Sequence, residues 1–175
     1  GAQIAIAYPA MQLDCSRTPY VIKIDDNRSV RARSVVLATG AEYRRRGLPE
    51  LPRFEGNGVY YGATAMEAQM CTDEEVIIVG GGNSAGQAAV FLAGSVRHVH
   101  ILVRAAGLAE SMSRYLIRRI EENPKITLRP HTEIEALIGE AELTQVRWRN
   151  HQTGETETRP IRHVFSMAGA RPNTA

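Results

Sequence analysis

The sequence predicts an α/β protein with a doubly wound parallel sheet and an antiparallel β-meander, and two patterns lead to this prediction. Between residues 75 and 128, unbroken apolar runs of strand length alternate with segments of helical periodicity. This strand–helix–strand–helix–strand order is typical of parallel strands joined by crossover helices. The residues that follow form short runs divided by Gly139 and Gly154, as in consecutive antiparallel hairpins.

Five segments make up the predicted parallel part. Each strand is an apolar run, and each helix is followed by a residue that stops helices, namely Gly94 for the first and Pro124 for the second. The predicted order is a strand at 76–79, a helix at 84–93, a strand at 98–103, a helix capped by Ser111 or Ser113, and a strand at 126–128.

The remaining segments are predominantly β. Four prolines and glycines between residues 49 and 58 indicate a linker or a domain crossing. Before it, the sequence predicts an apolar run at 3–7, a strand at 18–25, a turn at 26–28, and a hairpin arm at 30–34 that continues as a buried strand at 35–38. After the parallel part, it predicts strands at 133–138, 143–149, 155–161 and 163–167.

Composition excludes several classes of protein. The 175 residues carry a net charge of +2 and are 43% hydrophobic, which is ordinary for one globular domain, or one domain plus a piece of another, and excludes global disorder. No apolar run approaches the roughly 18 residues of a membrane helix, and no secretory signal is recognisable, so we expect no membrane association. The two cysteines, Cys15 and Cys71, are too few for a disulfide scaffold, which favours a reduced, cytoplasmic setting.

The most specific motif is the glycine loop that follows the strand at 76–79. Gly80, Gly82 and Ala85 fit the pattern G-x-G-x-x-G/A, in which they allow a tight turn, the close approach of a diphosphate, and close helix packing. The backbone N–H groups around Asn83 and Ser84 would face the diphosphate at the positive end of the helix dipole. The loop therefore predicts a dinucleotide site, and the alternative is a structural glycine turn that binds nothing.

The residue after the second parallel strand predicts which dinucleotide is bound. An acid there would accept a hydrogen bond from a ribose 2′-hydroxyl, whereas an arginine would bind a 2′-phosphate. The strand ends in Arg104, and the nearest acid, Glu110, comes six residues later, so NADP(H) is favoured over NAD(H). The alternative is that Arg104 is a solvated surface residue. Arg114, Arg118 and Arg119 could assist, or could simply form a solvated helix face.

Three motifs together resemble a known family. The segments VVLATGA at 35–41, VIIVGGGNSA at 76–85 and MAGARPNT at 167–174 occur in this order and at similar spacings in thioredoxin reductases. The chain thus looks like the middle of a thioredoxin-reductase-like flavoprotein of the pyridine-nucleotide disulfide oxidoreductase superfamily. The resemblance covers nearly all of the chain and implies a Rossmann-like NADPH domain together with a β-rich remnant of an FAD domain.

The resemblance also implies domain limits and a second cofactor. Residues 1–57 would be the second half of the first FAD segment, residues 58–166 the NADPH domain, and residues 167–175 the start of the return to the FAD domain. Thr39, Gly40, Ala41 and Gly169 would contribute to FAD binding in the complete protein. No second glycine fingerprint precedes residue 76, so we expect the chain to be a fragment that is inactive alone.

Two departures from the family alter the expected function. The redox motif C-A-T-C of the family corresponds here to the residues GATA at 62–65, so both sulfurs are replaced. A dithiol relay needs one thiol to attack and one to resolve, and Cys71 alone cannot supply both. Alanines at 105 and 109 also stand where the family has further 2′-phosphate arginines, which weakens the NADP(H) prediction.

The leading prediction is therefore the NADP(H)-binding portion of an FAD-dependent oxidoreductase that passes hydride from NADPH to flavin without the redox disulfide. No side chain is assigned a catalytic role, and the five histidines show no metal spacing. The acceptor of the electrons could be a partner protein, a quinone, oxygen or a small dithiol. The alternative function is a regulatory module that senses NADP(H) without turnover.

The sequence also bears on two further interactions. Exposed strand edges in the first segment would favour pairing with a second copy, so a homodimer is one expectation. Nucleic-acid binding has little support, because the arginines beside Trp148 at 146–150 belong to no basic face or recognition motif.

Overall fold

The structure is a computed structural model that describes residue 4, residues 6–43 and residues 47–173. The chain divides into two compact units, one comprising residues 1–40 and 174–175 and the other residues 41–173. The division falls after Gly40, whereas the boundary at 57/58 between an FAD and an NADPH domain stays a prediction. Among the described residues, no helix has the length and apolar character needed to span a bilayer.

The first unit contains a three-stranded antiparallel sheet with strand order β1–β2–β3. A tight turn joins its last two strands, because the carboxylate of Asp25 accepts a hydrogen bond from the backbone N–H of Asn27 at 3.0 Å. The predicted strand at 18–25, turn at 26–28 and hairpin arm at 30–34 are each close to an observed element. The strands are β1 (Gln12–Asp14), β2 (Tyr20–Lys23) and β3 (Ser29–Ala32).

The predicted buried strand at 35–38 is wrong. These residues form no strand, and Val36 and Leu37 are 89% and 67% exposed. An apolar run becomes a buried strand only when neighbouring strands satisfy its backbone groups, and no described strand pairs with this segment. The apolar run at 3–7 lies partly outside the described residues, and its described members Ile4, Ile6 and Ala7 are exposed.

The second unit contains four helices and ten strands in its described part. The helices are α1 (Leu51–Phe54), α2 (Ala65–Met70), α3 (Asn83–Leu92) and α4 (Arg114–Glu121). The strands are β4 (Ala41–Tyr43), β5 (Val59–Tyr60), β6 (Glu75–Val79), β7 (His98–Leu102), β8 (Ile126–Arg129), β9 (Thr132–Gly139), β10 (Leu143–Asn150), β11 (Thr156–Arg159), β12 (His163–Ser166) and β13 (Ala170–Pro172).

A five-stranded parallel sheet with order β5–β12–β6–β7–β8 forms the centre of this unit. Side chains of β6 alternate between its two faces. Val76 and Ile78 are buried with the inner faces of α3 and α4, while Ile77 and Val79 are buried with Trp148 of the antiparallel sheet β11–β10–β9. The predicted fold class, an α/β parallel sheet with an antiparallel meander, is confirmed.

The two short helices were not predicted, whereas α4 begins after Ser113, one of its two predicted cap residues. Thr64 and Glu67 form a capping box at the start of α2, in a stretch for which the sequence predicted no helix. Ser113 is the N-cap residue of α4, but its hydroxyl makes no capping hydrogen bond. Ser111, the other predicted cap, uses its hydroxyl elsewhere, as described below.

A closed ring of polar side chains joins the parallel sheet to the meander. Glu75 accepts from Arg159 at 2.8 Å and contacts Nε2 of His100 at 3.3 Å, while Arg129 donates from Nε to Nδ1 of His100 at 3.3 Å. Glu157 completes the ring through contacts of 3.3 Å with both Arg129 and Arg159. The ring therefore ties β6, β7 and β8 to β11.

Two members of the ring have shifted pKa values. The hydrogen bond from Arg159 lowers the pKa of Glu75 to about 2. Burial lowers the pKa of His100 to about 4, although Glu75 opposes this shift. His100 is consequently neutral at pH 7, with Nε2 placed to donate to Glu75 and Nδ1 to accept from Arg129.

Candidate functional site

The first glycine of the loop after β6 requires its residue type for two reasons. Gly80 has φ +138°, a conformation that residues with a Cβ rarely adopt. A Cβ at this position would lie 2.6 Å from the carbonyl oxygen of Met167, in the segment that follows β12. Met167 also donates its backbone N–H to Val79 at 2.8 Å, so the glycine loop and the start of the terminal motif meet at one edge of the sheet.

The second glycine of the pattern faces open space. Gly82 has φ −88° and ψ 178°, which any residue can adopt, and a Cβ built there meets no atom within 4 Å. Gly82 is the N-cap residue of α3, and no side chain caps the amides of the first turn. The arrangement leaves room for an anionic group in front of the N-terminus of a ten-residue helix.

Small residues in the next turn bring α3 close to its neighbours. Ala85 is fully buried in the core between α3 and the sheet. One residue later, a Cβ at Gly86 would lie 2.8 Å from Sδ of Met112, in the segment before α4. Ala85 thus packs as predicted, whereas Gly86 was missed because its close contact comes from a residue distant in sequence.

Polar contacts attach the segment before α4 to the glycine loop. Ser111 donates its hydroxyl to the carbonyl oxygen of Gly81 at 2.8 Å, and Ser113 donates its backbone N–H to Oδ1 of Asn83 at 2.8 Å. The Asn83 side chain therefore holds this segment, while Ser84 is exposed at the helix start. These contacts bring two serines, which were considered only as helix caps, to the edge of the candidate site.

Arg104 lies just beyond the neighbouring strand. Gly80 donates its backbone N–H to Leu102 at 3.1 Å, so the ends of β6 and β7 are adjacent, and Arg104 follows two residues later. Its side chain is 72% exposed, and its Nε lies 3.8 Å from Oε1 of Glu133 on β9. Arg118, considered as a helper, instead forms an ion pair with Glu122 at 2.7 Å.

The residues assigned to flavin by resemblance fall in both units. Thr39 and Gly40 end the first unit, where both are exposed and Gly40 has φ +76°. In the second unit, Ala41 begins β4 and pairs with Pro172 of β13, and Gly169, with φ +99°, immediately precedes β13. Within the second unit, the ladder between β4 and β13 therefore brings Ala41, the last residue of the motif VVLATGA, beside the motif MAGARPNT.

Neither cysteine forms a disulfide. Cys15 is exposed in the first unit, and Cys71 is fully buried at the end of α2. Burial raises the pKa of the Cys71 thiol to about 12, so it is not a nucleophilic thiolate at neutral pH. The segment at 62–65 holds no sulfur and leads into α2 through Thr64, whose side chain bonds to the helix start.

Trp148 belongs to the core. It is 3% exposed on β10, and the guanidinium of Arg129 lies 5.0 Å from the centre of its ring. Its neighbour Arg147 donates to Glu135 on the adjacent strand at 2.9 Å. Trp148 and Arg147 are thus both engaged in contacts within the meander and with the parallel sheet.

Comparison with known proteins identifies the family. The pyridine nucleotide-disulphide oxidoreductase family profile matches residues 3–175. A thioredoxin reductase from Mycolicibacterium smegmatis is 34% identical over 144 residues, which are 82% of this chain and 45% of that protein. An NADH dehydrogenase from Bacillus subtilis strain 168 is 27% identical over 155 residues, which are 89% of this chain and 30% of that protein.

Solved structures share the fold. Thioredoxin reductase from Giardia duodenalis matches with a TM-score of 0.75 at 24% identity, over 94% of this chain and 53% of that one. The chain belongs to the pyridine nucleotide-disulphide oxidoreductase family, and thioredoxin reductases are among the proteins it is similar to. It spans less than half the length of the curated relatives named above.

Proposed function

We propose that the chain is the NADP(H)-binding portion of an FAD-dependent oxidoreductase in which hydride passes from NADPH to the flavin. Membership of the family supports a flavin-dependent redox role that uses a pyridine nucleotide. The observation that carries the nucleotide assignment is the open space at Gly82 in front of the uncapped N-terminus of α3. A diphosphate placed there would meet backbone N–H groups and the positive end of the helix dipole.

The protein contributes binding and orientation to this reaction. When bound, the nicotinamide would supply a hydride and the flavin would accept it, and this chemistry would require no acid–base side chain of the protein. In the proposal, the N–H groups around Asn83 and Ser84 hold the diphosphate, and Arg104 holds the 2′-phosphate of NADPH. Ala85 keeps α3 close to the sheet, so that these groups keep fixed positions.

The flavin part of the proposal rests on the family. Thr39, Gly40, Ala41 and Gly169 would contribute to the FAD site of the whole protein. In the described part of the second unit, β4 pairs with β13, so Ala41 and Gly169 lie on neighbouring segments. The electron acceptor would be a partner protein, a quinone, oxygen or a small dithiol.

We further propose that the whole protein does not reduce thioredoxin through the dithiol route of its relatives. By the resemblance to the family, Gly62 and Ala65 would stand at the positions of the two redox cysteines, and the thiol of Cys71 is buried and protonated. Attack and resolution need two accessible thiols within bonding distance. The reduction of the flavin by NADPH, followed by stopped-flow absorbance, would distinguish an enzyme from a nucleotide sensor.

The substitution Gly82→Ala tests the nucleotide site. The backbone angles at Gly82 suit alanine, so the fold should persist while the new methyl group occupies the space proposed for the diphosphate. We expect the dissociation constant for NADPH, measured by isothermal titration calorimetry, to rise by about tenfold or more, since misplaced diphosphate loses charge-assisted hydrogen bonds. Unchanged affinity would refute the proposed site.

Two further variants complete the experiment. Gly62→Ala adds the same methyl group at another glycine with no atom within 4 Å of the new Cβ, and it should leave NADPH affinity unchanged. Arg104→Ala should remove most of the preference for NADPH over NADH, which we expect to be about 10- to 100-fold for a charge-assisted bond to phosphate. Equal affinities of the unmodified chain for the two nucleotides would contradict the assignment of Arg104.

A further inference from the structure

Arg104 faces a carboxylate from another strand. Oε1 of Glu133, the second residue of β9, lies 3.8 Å from Nε of Arg104, while Oε2 lies 3.2 Å from Nε2 of His151. The Glu133 side chain is 32% exposed, compared with 72% for Arg104. The arginine proposed to bind the 2′-phosphate therefore shares its surroundings with a half-buried negative charge.

Backbone hydrogen bonds fix the position of this carboxylate. Thr132 donates its N–H to the carbonyl of Val103 at 2.9 Å, and His131 donates to that of Ala105 at 3.1 Å. Val103 and Ala105 flank Arg104 in sequence, and Thr132 and His131 precede Glu133. These hydrogen bonds therefore hold the backbone at Arg104 beside the backbone at Glu133. Glu133 is also paired with Arg149 in the ladder between β9 and β10. Its backbone consequently cannot move away from Arg104 without breaking these bonds.

We propose that Glu133 reduces the preference for NADPH that Arg104 provides, because its carboxylate opposes the 2′-phosphate and favours a free ribose 2′-hydroxyl. This inference rests on the proposed binding of a pyridine nucleotide with its 2′ position at Arg104. A phosphate that binds Arg104 must approach a carboxylate 3.8 Å from the guanidinium, and like charges at such distances repel. A 2′-hydroxyl, in contrast, can donate a hydrogen bond to the same carboxylate.

The position of Glu133 explains why its role is not evident from sequence. An acid that recognises the ribose is expected at the end of the second parallel strand, where this chain has Arg104 and, six residues on, Glu110. Glu133 comes instead from the meander, which returns to this edge through the turn at His131 (φ +52°). Both a cation and an anion are therefore present at the predicted 2′ position, although the sequence motif supplies only the cation.

The substitution Glu133→Gln tests the proposal by calorimetric titration of the 175-residue chain with NADPH and with NADH. Loss of the carboxylate charge should strengthen NADPH binding and weaken NADH binding, so that the ratio of the two dissociation constants shifts about tenfold towards NADPH. The shift should shrink in 0.5 M salt, because the pair is partly exposed and screening shortens the range of its field. Glu133→Asp, which keeps the charge, should leave the ratio near that of the unmodified chain.

Glu135→Gln is the matched control. Glu135 lies two residues further along β9, and its carboxylate accepts from Arg147 at 2.9 Å, so this variant removes the same charge from the same strand without touching Arg104. A ratio in Glu133→Gln equal to that in Glu135→Gln would overturn the proposed role of Glu133. Failure of the unmodified chain to bind either nucleotide would instead overturn the proposed function itself.

Discussion

At the scale of single residues, two glycines of one loop have opposite structural requirements. Gly80 has a positive φ, and its missing Cβ makes room for the carbonyl of Met167. Gly82 has ordinary backbone angles and borders open space. The fold alone therefore explains a glycine at the first position, whereas it does not explain one at the second, which is consistent with a ligand there.

We predict that Gly80→Ala is strongly destabilising. The new Cβ would lie 2.6 Å from a backbone oxygen, and the backbone would be held in a conformation unfavourable to alanine. The combined cost should be on the order of 2–4 kcal/mol of unfolding free energy. Urea denaturation followed by circular dichroism measures this change. Gly82→Ala, with a cost of at most about 1 kcal/mol, is the comparison, and equal destabilisation by both would disprove the distinction.

The sequence predicts the residues of the glycine loop better than the residues around it. The turn at Gly80 and the buried small residue at 85 follow from a local pattern of strand, glycines and helix. Gly86, Ser111 and Glu133 were missed, because their contacts come from segments distant in sequence. Their importance depends on how the chain returns to this edge of the sheet, which no local pattern reports.

At the scale of elements, the short helix α2 depends on its N-terminal cap. Thr64 accepts a hydrogen bond from the first turn, and the carboxylate of Glu67 accepts one in return from the backbone N–H of Thr64. A six-residue helix has little stability of its own, so these bonds carry much of it. The helix also positions Ala68 and Cys71 in the core.

We predict that Thr64→Ala lowers the unfolding free energy by about 1 kcal/mol, which is typical of the loss of an N-cap side chain. Equilibrium unfolding in urea would measure the change. Thr64→Ser keeps a hydroxyl that can cap the helix, and it should retain most of the stability. Equal losses in the two variants would show that the methyl group of the threonine, and not its hydroxyl, stabilises this region.

Elements with strong apolar periodicity were predicted well, and those defined by caps or pairing were not. The strands at 75–79 and 98–102 and the helices α3 and α4 lie close to their predicted limits. Helices α1 and α2 are too short for periodicity to reveal. The prediction of a strand at 35–38 was wrong for the opposite reason. The composition of this run favours a strand, but no described strand pairs with it.

At the scale of the whole molecule, the ring that contains Glu75 and His100 makes stability depend on pH. The folded pKa of His100, about 4, is below its unfolded value of 6.5, so the unfolded chain binds a proton first as the pH falls, and stability is lost between pH 6.5 and 4. The folded pKa of Glu75, about 2, lies below 4.5, so its contribution is lost between pH 4.5 and 2. Both groups therefore destabilise the fold on acidification.

We predict that the unfolding free energy falls by about 2 kcal/mol between pH 7 and pH 5 through His100, as urea titrations at the two pH values would show. Burial also lowers the pKa values of His98 and His163, which adds to the decrease. In His100→Gln the protein should be less stable at pH 7, but its decrease towards pH 5 should be smaller. The same decrease in both proteins would exclude His100 as its source.

The strand order of the parallel sheet also has a consequence for synthesis of the chain. β12 lies between β5 and β6, yet it is encoded after the whole meander. On a ribosome that adds about 5–20 residues per second, β5 and β6 would wait roughly 5–20 seconds for the neighbour they share. During that interval one edge of the apolar strand β6 is open, and open edges promote aggregation. A nascent chain interrupted before His163 would keep this edge unpaired permanently, so premature termination should yield an aggregating product and not a smaller stable domain.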